Sequence, residues 1–271
     1  MKRIIQTLLV IAGVWLALVM LMFLFQNRLI FYPDKILPYD PSAYNLSWEE
    51  AWFETDDGKT LHGWYLPHHE SDQILLFSHG NAGNIAYRLG LLEMMHRNGL
   101  SVFIYDYRGF GQSEGRPNER GVYRDVRAAW NYLTEGLEYR PDQIVLYGRS
   151  LGGPVSAHLA ADVEPSGLII ESTFTSLKDL VSDIYPFVPT LLVRQQFDTI
   201  DYLSKTMVPV LILHSRDDRL IGIHHGKRLY EEANRPRRFV ELRGGHDEVF
   251  RISGDLYFRE LTGFLEKLRD R

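Results

Sequence analysis

Six short apolar runs recur along the chain, and segments with the length and spacing of helices separate most of them. The runs are QILLFS (73–78), SVFIYD (101–106), QIVLYG (143–148), GLIIES (167–172), VLILHS (210–215) and RFVELR (238–243), and the helical segments lie at roughly 85–98, 119–135, 151–161, 224–234 and 254–268. Runs without polar alternation are typical of strands buried on both faces of a sheet. Strands and helices in this order predict an α/β fold, with a mostly parallel central sheet and helices on both faces.

One domain of this class accounts for residues 51–271. A hydrophobic content of 45% in 271 residues is enough for a single large core. The segments AWFET and TLHGWYL flank Asp57-Gly58 and predict a β-hairpin at the start of the domain. Because sites in parallel sheets lie beyond the carboxyl ends of the strands, functional residues are expected in the loops that follow the apolar runs.

The amino terminus forms a separate segment. No charged residue occurs from Ile4 to Phe25, and a helix of that length would be about 33 Å long, close to the roughly 30 Å of a bilayer hydrocarbon core. A cleaved signal peptide, the minor alternative, would have a shorter apolar run that ends in small residues. We therefore expect a transmembrane anchor at 1–25 and a juxtamembrane connector at 26–50.

The charges beside the anchor indicate its orientation. Lys2, Arg3 and the amino group precede the anchor, whereas Arg28 and Lys35 follow it. Because positively charged flanks stay in the cytoplasm, this slight excess predicts a cytoplasmic amino terminus. The chain is expected to be a single-pass membrane protein with its large domain on the non-cytoplasmic side.

Charge and cysteine content exclude several classes of function. The formal net charge is −5 and no block of lysine and arginine occurs, so nucleic acid is not an expected partner. The chain has no cysteine, which excludes disulfides, a thiolate nucleophile and cysteine-ligated metal sites. The histidines of HHE (68–70) and IHHG (223–226) lack the i, i+4 spacing of a helical metal site, so we expect surface histidines and no bound metal.

A serine flanked by glycines follows one of the apolar runs. In YGRSLGGP (147–154), Ser150 lies between the predicted strand QIVLYG and a predicted helix. A sharp strand-to-helix turn leaves no room for neighbouring side chains, a requirement that Gly148 and Gly152 meet. The helix amino terminus also favours developing negative charge. The pattern predicts a nucleophile; the alternative is a glycine-rich turn with a solvated serine.

A serine nucleophile requires a base and an orienting carboxylate from later strand ends. His246 lies directly after the last predicted strand and is the predicted base. Asp217 and Asp218 follow the penultimate strand, and either could orient the imidazole. Glu171, at the end of the strand before, is a third possibility.

Catalysis also requires two donors for an oxyanion. One is expected to be the backbone N–H of Leu151, the residue after the nucleophile. The other is expected from the loop SHGNAGN (78–84), where the N–H of Asn81 is favoured. His79, in the same loop, is expected to bind the backbone and to have a structural role.

Five motifs in order resemble those of the α/β-hydrolase superfamily: HGNAGN, YDYRGFGQSEG, GRSLGG, HSRDDRLI followed by HGKRLYEEA, and GGHDEVF. The resemblance covers about residues 50–268, and within the superfamily it extends to membrane-anchored serine hydrolases related to serine aminopeptidase-like and monoacylglycerol lipase-like enzymes. In that family the acid follows the pattern His-Gly-x-x-Asp-x-x-Ile/Val-Pro, which implies Asp218 when counted from His214. Ser215 and Gly222 depart from the usual glycine and proline.

The resemblance implies an esterase, lipase or thioesterase that needs no cofactor. We therefore expect a membrane-anchored serine hydrolase that cleaves an acyl ester or thioester through Ser150, Asp218 and His246. A serine aminopeptidase and a catalytically silent scaffold of the same fold are the alternatives, whereas dehalogenases and epoxide hydrolases would have aspartate in place of Ser150. Residues 173–209, with the apolar centre IYPFVPTLLVRQQF, are expected to form either a small lid over an acyl pocket or an ordinary crossover.

Overall fold

A computed structural model describes residues 1–270. Its main feature is an eight-stranded sheet with the strand order β10-β9-β8-β7-β4-β6-β3-β2, and a separate two-stranded sheet pairs β1 with β5. The strands are β1 (Tyr32–Pro33), β2 (Glu49–Glu54), β3 (Thr60–Leu66), β4 (Ile74–Ser78), β5 (Ala82–Gly83), β6 (Ser101–Tyr105), β7 (Ile144–Arg149), β8 (Gly167–Glu171), β9 (Val210–Ser215) and β10 (Arg237–Leu242).

The helices connect these strands and cover both faces of the main sheet. They are α1 (Lys2–Leu24), α2 (Gln26–Ile30), α3 (Leu89–Arg97), α4 (Glu119–Asn131), α5 (Gly152–Ala160), α6 (Leu177–Ile184), α7 (Thr199–Lys205), α8 (Ile223–Glu232), α9 (Val249–Ile252) and α10 (Gly254–Arg269). The segment predicted as one helix at 119–135 is α4 up to Asn131. A π-helical turn, Tyr132–Gly136, follows it directly.

The sheet pairing confirms the predicted α/β architecture. All neighbours from β6 to β10 in the sheet pair in parallel, and β2, β3 and β6 pair antiparallel. The six apolar runs are the six parallel strands, each displaced from its predicted bounds by no more than one residue. The predicted hairpin is β2 and β3, and Gly58 in its turn has a φ of +68°. Strand β2 begins at Glu49, so the expected connector at 26–50 overlaps the sheet by two residues.

Alternate side chains of each strand face two hydrophobic cores. Leu146 and Ile170 pack in one core beneath α4 and α5, whereas their neighbours Tyr147 and Ile169 pack in the other beneath α3 and α10. Both faces of the strands are therefore buried, which explains why the runs lack polar alternation. The two cores hold the carboxyl ends of β4, β7, β8, β9 and β10 along one edge of the molecule.

Residues 173–209 contain a crossover helix and a preceding segment that lines a cavity; the lid stays a prediction. Helix α7 packs against α5 as a crossover helix. The preceding part, which we call the cap (residues 177–194), contains α6 and a short 3-10 turn, Thr190–Leu192, and lies over the carboxyl edge of the sheet.

The connector ties the amino-terminal segment to the loop after β4. Tyr32 N–H donates to the Asn81 carbonyl and Asp34 N–H to the Gly83 carbonyl, at 2.9 and 3.0 Å. The Asn81 side chain donates to the carbonyl of Ile30 at 2.8 Å. The end of α2 is thereby fixed to the loop that carries a predicted oxyanion donor.

Helix α1 has 23 residues, a mean hydropathy of 2.7 over its most apolar window and little burial in the protein. By length and composition it can cross a membrane, and a signal sequence near an amino terminus would have the same properties.

Candidate active site

Ser150 lies on the turn between β7 and α5, where a nucleophile was predicted. Its φ is +53°, a left-handed conformation that non-glycine residues rarely adopt. A Cβ on Gly152 would overlap the Ser78 carbonyl, and a Cβ on Gly148 would overlap the backbone of Gly152. The glycines are thus required because strand, turn and helix backbones are in direct contact, as the sequence predicted.

His246 connects Ser150 to Asp218. Its Nε2 lies 3.0 Å from Ser150 Oγ, and its Nδ1 lies 2.6 Å from Asp218 Oδ2. These three residues come from the loops after β7, β9 and β10, which converge because neighbouring parallel strands end at the same edge. The chain order serine, acid, histidine is that of the predicted arrangement.

The carboxylate of Asp218 is buried but well supplied with donors. Its Oδ1 accepts from Leu220 N–H and Ile221 N–H, both at 2.9 Å, which leaves Oδ2 for His246. Burial raises the pKa of Asp218, but the hydrogen bonds from His246 and from the two backbone groups outweigh that effect, and the pKa lies below its ordinary value. Asp218 is therefore held ionised against His246.

The other two candidate acids have different partners. Asp217 Oδ2 accepts from Arg243 Nε at 2.9 Å and from Gly244 N–H at 3.2 Å, which braces the loop that leads to His246. Ser215, in place of the family's glycine, also joins these loops, because its hydroxyl donates to the Gly244 carbonyl at 2.6 Å. Of the three carboxylates, Asp218 alone contacts the imidazole.

Glu171 anchors a buried network beneath the site. It accepts from Arg149 Nε at 3.1 Å and from the hydroxyls of Tyr147 and Tyr257. Arg149 Nη2 donates in turn to the backbone carbonyl of His246 at 2.7 Å. The network holds the backbone of His246, a role that the sequence did not predict, because Arg149 contacts residues that are distant from it in the sequence.

The predicted oxyanion donors flank Ser150. A Cβ on Gly80 would lie 3.5 Å from Ser150 Cβ, so the peptide that carries Asn81 N–H adjoins Ser150. Within residues 1–270, neither Asn81 N–H nor Leu151 N–H donates to a protein acceptor. His79 Nδ1 lies 2.7 Å from the Gly80 carbonyl, which confirms its expected bond to the backbone and orients the Asn81 N–H of that peptide. Burial lowers the pKa of His79, so the ring is neutral and can donate from Nδ1.

Two cavities meet at Ser150. The first, of about 340 Å³, is almost entirely apolar and lies between the amino-terminal helices and the cap. Its walls come from α1 and α2 (Val19, Met22, Phe23, Gln26, Leu29, Ile30), from the cap (Leu177, Leu180, Val181, Ile184, Tyr185, Val188, Leu192, Val193) and from Tyr32, Asn81, Leu151, Phe174, Leu220 and Ile221.

The second cavity, of about 900 Å³, also reaches Ser150, and we call it the polar cavity because its lining is more polar than that of the first. Its charged lining residues are Asp34, Arg88, Arg149, Asp247, Glu248 and Arg251. Arg88 Nε is buried without a hydrogen-bond partner among the described residues, and burial together with nearby Arg149 lowers the Arg88 pKa to about 10. At neutral pH Arg88 remains a cation at this cavity.

The histidine pairs of the sequence lie away from Ser150. His224 Nε2 and His225 Nε2 lie 2.8 and 3.1 Å from Asp183 Oδ2 on α6, an approach that the sequence did not predict. His225, expected at the surface, is buried, and its Nδ1 lies 3.0 Å from Thr175 Oγ1, so the ring packs between α8 and the segment after β8. The contacts join α8 to the cap.

Comparison with known proteins establishes the family. Residues 69–196 match the family described as serine aminopeptidase, S33. The α/β-hydrolase domain-containing protein WAV2 of Arabidopsis thaliana is 34% identical over 284 residues, which cover 94% of this chain and 92% of that protein. This chain belongs to the α/β-hydrolase superfamily. The hydrolase is also 36% identical over 201 residues to α/β-hydrolase domain-containing protein 17B of Homo sapiens, with 72% of this chain and 64% of that protein covered.

Solved structures share the hydrolase fold. The esterase Pf2001 of Pyrococcus furiosus has a TM-score of 0.73 at 18% identity and covers 88% of this hydrolase and 97% of its own chain. The acylaminoacyl peptidase of Pyrococcus horikoshii has a TM-score of 0.62 at 15% identity, with 83% of this chain and 41% of the peptidase covered. The resemblance inferred from the five motifs is confirmed at the level of superfamily and fold.

The contact at Gly152 gives a direct test of the nucleophile turn. Gly152→Ala should lower the free energy of unfolding by about 1–3 kcal/mol or more, because the new methyl group meets a backbone carbonyl that cannot rotate away. Gly263→Ala in α10 is the matched control, since no atom lies within 4 Å of its Cβ. That change should stabilise the protein by about 0.5–1 kcal/mol. Urea unfolding measures both, and equal effects would contradict the close contact.

Proposed function

We propose that this protein is a membrane-anchored serine hydrolase that cleaves carboxylic esters or thioesters of acyl chains through an acyl-enzyme. The observation that carries the proposal is the chain of hydrogen bonds from Ser150 through His246 to Asp218, at the junction of an apolar and a polar cavity. Among the alternatives on this fold, that junction favours a substrate with one apolar and one polar part.

In the first half of the reaction, His246 Nε2 takes the proton of Ser150 Oγ as the oxygen attacks the substrate carbonyl. The carbonyl oxygen becomes an oxyanion, which accepts from Asn81 N–H and Leu151 N–H. Asp218 stabilises the imidazolium that forms. His246 then donates its proton to the leaving alcohol or thiol, and the bond from the acyl carbon to that group breaks.

In the second half, a water molecule replaces the departed group. His246 removes a proton from the water, the hydroxide adds to the acyl carbon, and a second oxyanion forms at the same two donors. Its collapse breaks the bond to Ser150 Oγ, which recovers its proton from His246. The products are the free acid and the regenerated serine, and no redox step or cofactor is required.

The two cavities divide the substrate. We assign the acyl chain to the apolar cavity, because most of its lining is aliphatic or aromatic and none of its lining residues is charged. Its volume is at the lower end of the range for small-molecule sites. The leaving group would occupy the polar cavity, where Arg88, Arg149 and Arg251 can contact phosphate or carboxylate oxygens.

Membrane attachment is the second part of the proposal. Helix α1 is proposed to cross the bilayer once, with Lys2 and Arg3 on the cytoplasmic side and the hydrolase domain on the other. Its end forms part of the apolar cavity and its continuation is bonded to the loop of Asn81. A signal sequence that is cleaved would leave the cavity without one of its walls, which favours a retained helix.

An aminopeptidase is the second candidate, favoured by the description of the matching family. Such an enzyme would need free carboxylates to bind a substrate amine. Asp34, Asp247 and Glu248 line the polar cavity. Asp34 accepts from Tyr87 and from Ile36 N–H, and Asp247 pairs with Arg149, which leaves Glu248 as the one carboxylate of this lining without a hydrogen bond or ion pair among the described residues. Because Arg88, Arg149 and Arg251 line the same cavity and would repel a substrate ammonium, the ester or thioester is the better supported substrate.

The proposal predicts an activated serine. Membranes that contain the full-length protein should react with a fluorophosphonate probe, and Ser150→Ala and His246→Ala should abolish labelling while leaving the protein folded. A series of p-nitrophenyl esters, acyl thioesters and lysophospholipids, compared with aminoacyl p-nitroanilides, then separates esterase from peptidase. A folded wild type that is never labelled would support the silent scaffold.

The acid assignment is tested by a pair of neighbouring substitutions. Asp218→Asn should lower kcat by about 10⁴-fold, because the amide no longer stabilises the imidazolium or its tautomer. Asp217→Asn, with the same change of charge one residue away, should lower kcat less than tenfold, because its carboxylate contacts Arg243 and not His246. Equal losses in steady-state hydrolysis would contradict the assignment to Asp218.

A further inference from the structure

The cap runs along helix α1, and hydrogen bonds join it to α1 and to the start of α2. Trp15 Nε1 donates to the Phe187 carbonyl at 3.1 Å. Gln26 Nε2 donates to the Leu192 carbonyl at 2.6 Å. Arg194 Nη2 donates to the Phe23 carbonyl at 2.9 Å. The segment we call the cap tip (residues 184–193) therefore extends beside α1 from its end back to its middle.

These contacts determine how far the cap tip reaches. From Trp15 to Phe25, where the uncharged stretch ends, α1 rises by about 15 Å at 1.5 Å per residue. That distance is about half of a hydrocarbon core of roughly 30 Å. If α1 crosses a bilayer along the stretch from Ile4 to Phe25, Phe187 beside Trp15 lies well below the surface of the leaflet on the domain side.

The cap tip has the composition of a lipid-facing segment. Its sequence, IYPFVPTLLV, contains no charged residue, and the exposed apolar side chains include Phe187 at 51% and Leu191 at 83%. The first charge after it is Arg194, which lies over the Phe23 ring near the end of the apolar stretch. The exposed apolar side chains beside α1 match the hydrocarbon region of a bilayer, and Arg194 at their boundary matches the level of the head groups.

Several backbone groups of the cap tip need no hydrogen bond from water. Unpaired N–H and C=O groups are costly in hydrocarbon. Pro186 and Pro189 have no N–H, and the carbonyls of Phe187 and Leu192 accept from Trp15 of α1 and Gln26 of α2. These features lower the cost of placing this part of the cap tip at membrane depth.

The apolar cavity lies between these two elements. Val19, Met22 and Phe23 of α1 face Val188 and Leu192 of the cap tip across it, and the same cavity reaches Ser150. An acyl chain in this cavity would lie beside the end of the membrane helix. The route from the leaflet to Ser150 therefore does not have to cross water.

We propose that the cap tip is embedded in the leaflet on the domain side and that the apolar cavity takes the acyl chain of its substrate directly from that leaflet. The substrate class is then a membrane-resident acyl ester or thioester with a polar head group, rather than a water-soluble ester. This inference rests on the proposed function for the chemistry at Ser150, but the position of the cap tip can be measured without any activity.

The first experiment locates the cap tip. Because the chain has no cysteine, Leu191→Cys provides a single site for a bimane label, and Met207→Cys, at a position 75% exposed before β9, provides the control. In phosphatidylcholine vesicles that contain doxyl-labelled lipid, bimane at 191 should be quenched strongly and bimane at 207 should not. Equal quenching at the two positions would overturn the proposal, whether or not the protein hydrolyses esters.

The second experiment concerns the source of the substrate. Leu191 and Met207 do not line either cavity at Ser150, so Leu191→Asp and Met207→Asp should both leave hydrolysis of soluble p-nitrophenyl acetate unchanged. Leu191→Asp should lower kcat/KM at least tenfold for a long-chain acyl ester in vesicles, because the carboxylate draws the cap tip out of the leaflet. Met207→Asp should have no such effect.

The outcomes separate this inference from the proposed function. Uptake from the leaflet would be overturned if Leu191→Asp left hydrolysis of the vesicle-bound ester unchanged. It would also be overturned if this change lowered kcat/KM equally for the vesicle-bound ester and for p-nitrophenyl acetate. In either case the esterase activity itself would still stand. A wild type that hydrolyses neither substrate would contradict the proposed function, and the quenching at 191 would still decide where the cap tip lies.

Discussion

The contact between the backbone of Gly152 and the carbonyl of Ser78 is the constraint on which the site depends. It holds the turn of Ser150 against the end of β4, so that the loop after β4 passes directly beside Ser150. The peptides that carry Asn81 N–H and Leu151 N–H both adjoin Ser150 for this reason. The contact requires the left-handed backbone conformation of Ser150, which is unfavourable for a non-glycine residue. The packing of the neighbouring strands offsets this local strain.

A second layer of interactions determines where the histidine lies. His246 is on a loop that no helix or strand fixes, yet its backbone carbonyl is bound by Arg149, and Arg149 is bound by Glu171 in the core. Asp217 and Ser215 form hydrogen bonds with the backbone of Gly244, two residues before His246. The loop is thus positioned by the ion pair of Arg149 with Glu171 and by the loop that carries Asp217 and Ser215. Loops are usually more mobile than helices and strands, so these contacts account for the 3.0 Å distance between His246 Nε2 and Ser150 Oγ.

The sequence predicted most of the fold and the residues that meet at Ser150, because strands buried on both faces and a glycine-flanked serine leave local patterns. It did not by itself separate Asp218 from Asp217, since the two follow the same strand; the difference is that Leu220 and Ile221 N–H turn Asp218 towards His246. The role of Glu171 and the pairing of the cap with α1 depend on contacts between distant segments. Such contacts have no local signature, so no reading of the sequence could supply them.

The small sheet of β1 and β5 joins the amino-terminal segment to the loop beside Ser150. Tyr32 N–H donates to the Asn81 carbonyl, and the Asn81 side chain donates to the Ile30 carbonyl. The residues just before Ile30 form a wall of the apolar cavity. The amino-terminal helices and the loop of Asn81 are therefore mechanically coupled. Removal of the first thirty or so residues would take away both a wall of the apolar cavity and the acceptor of the Asn81 side chain.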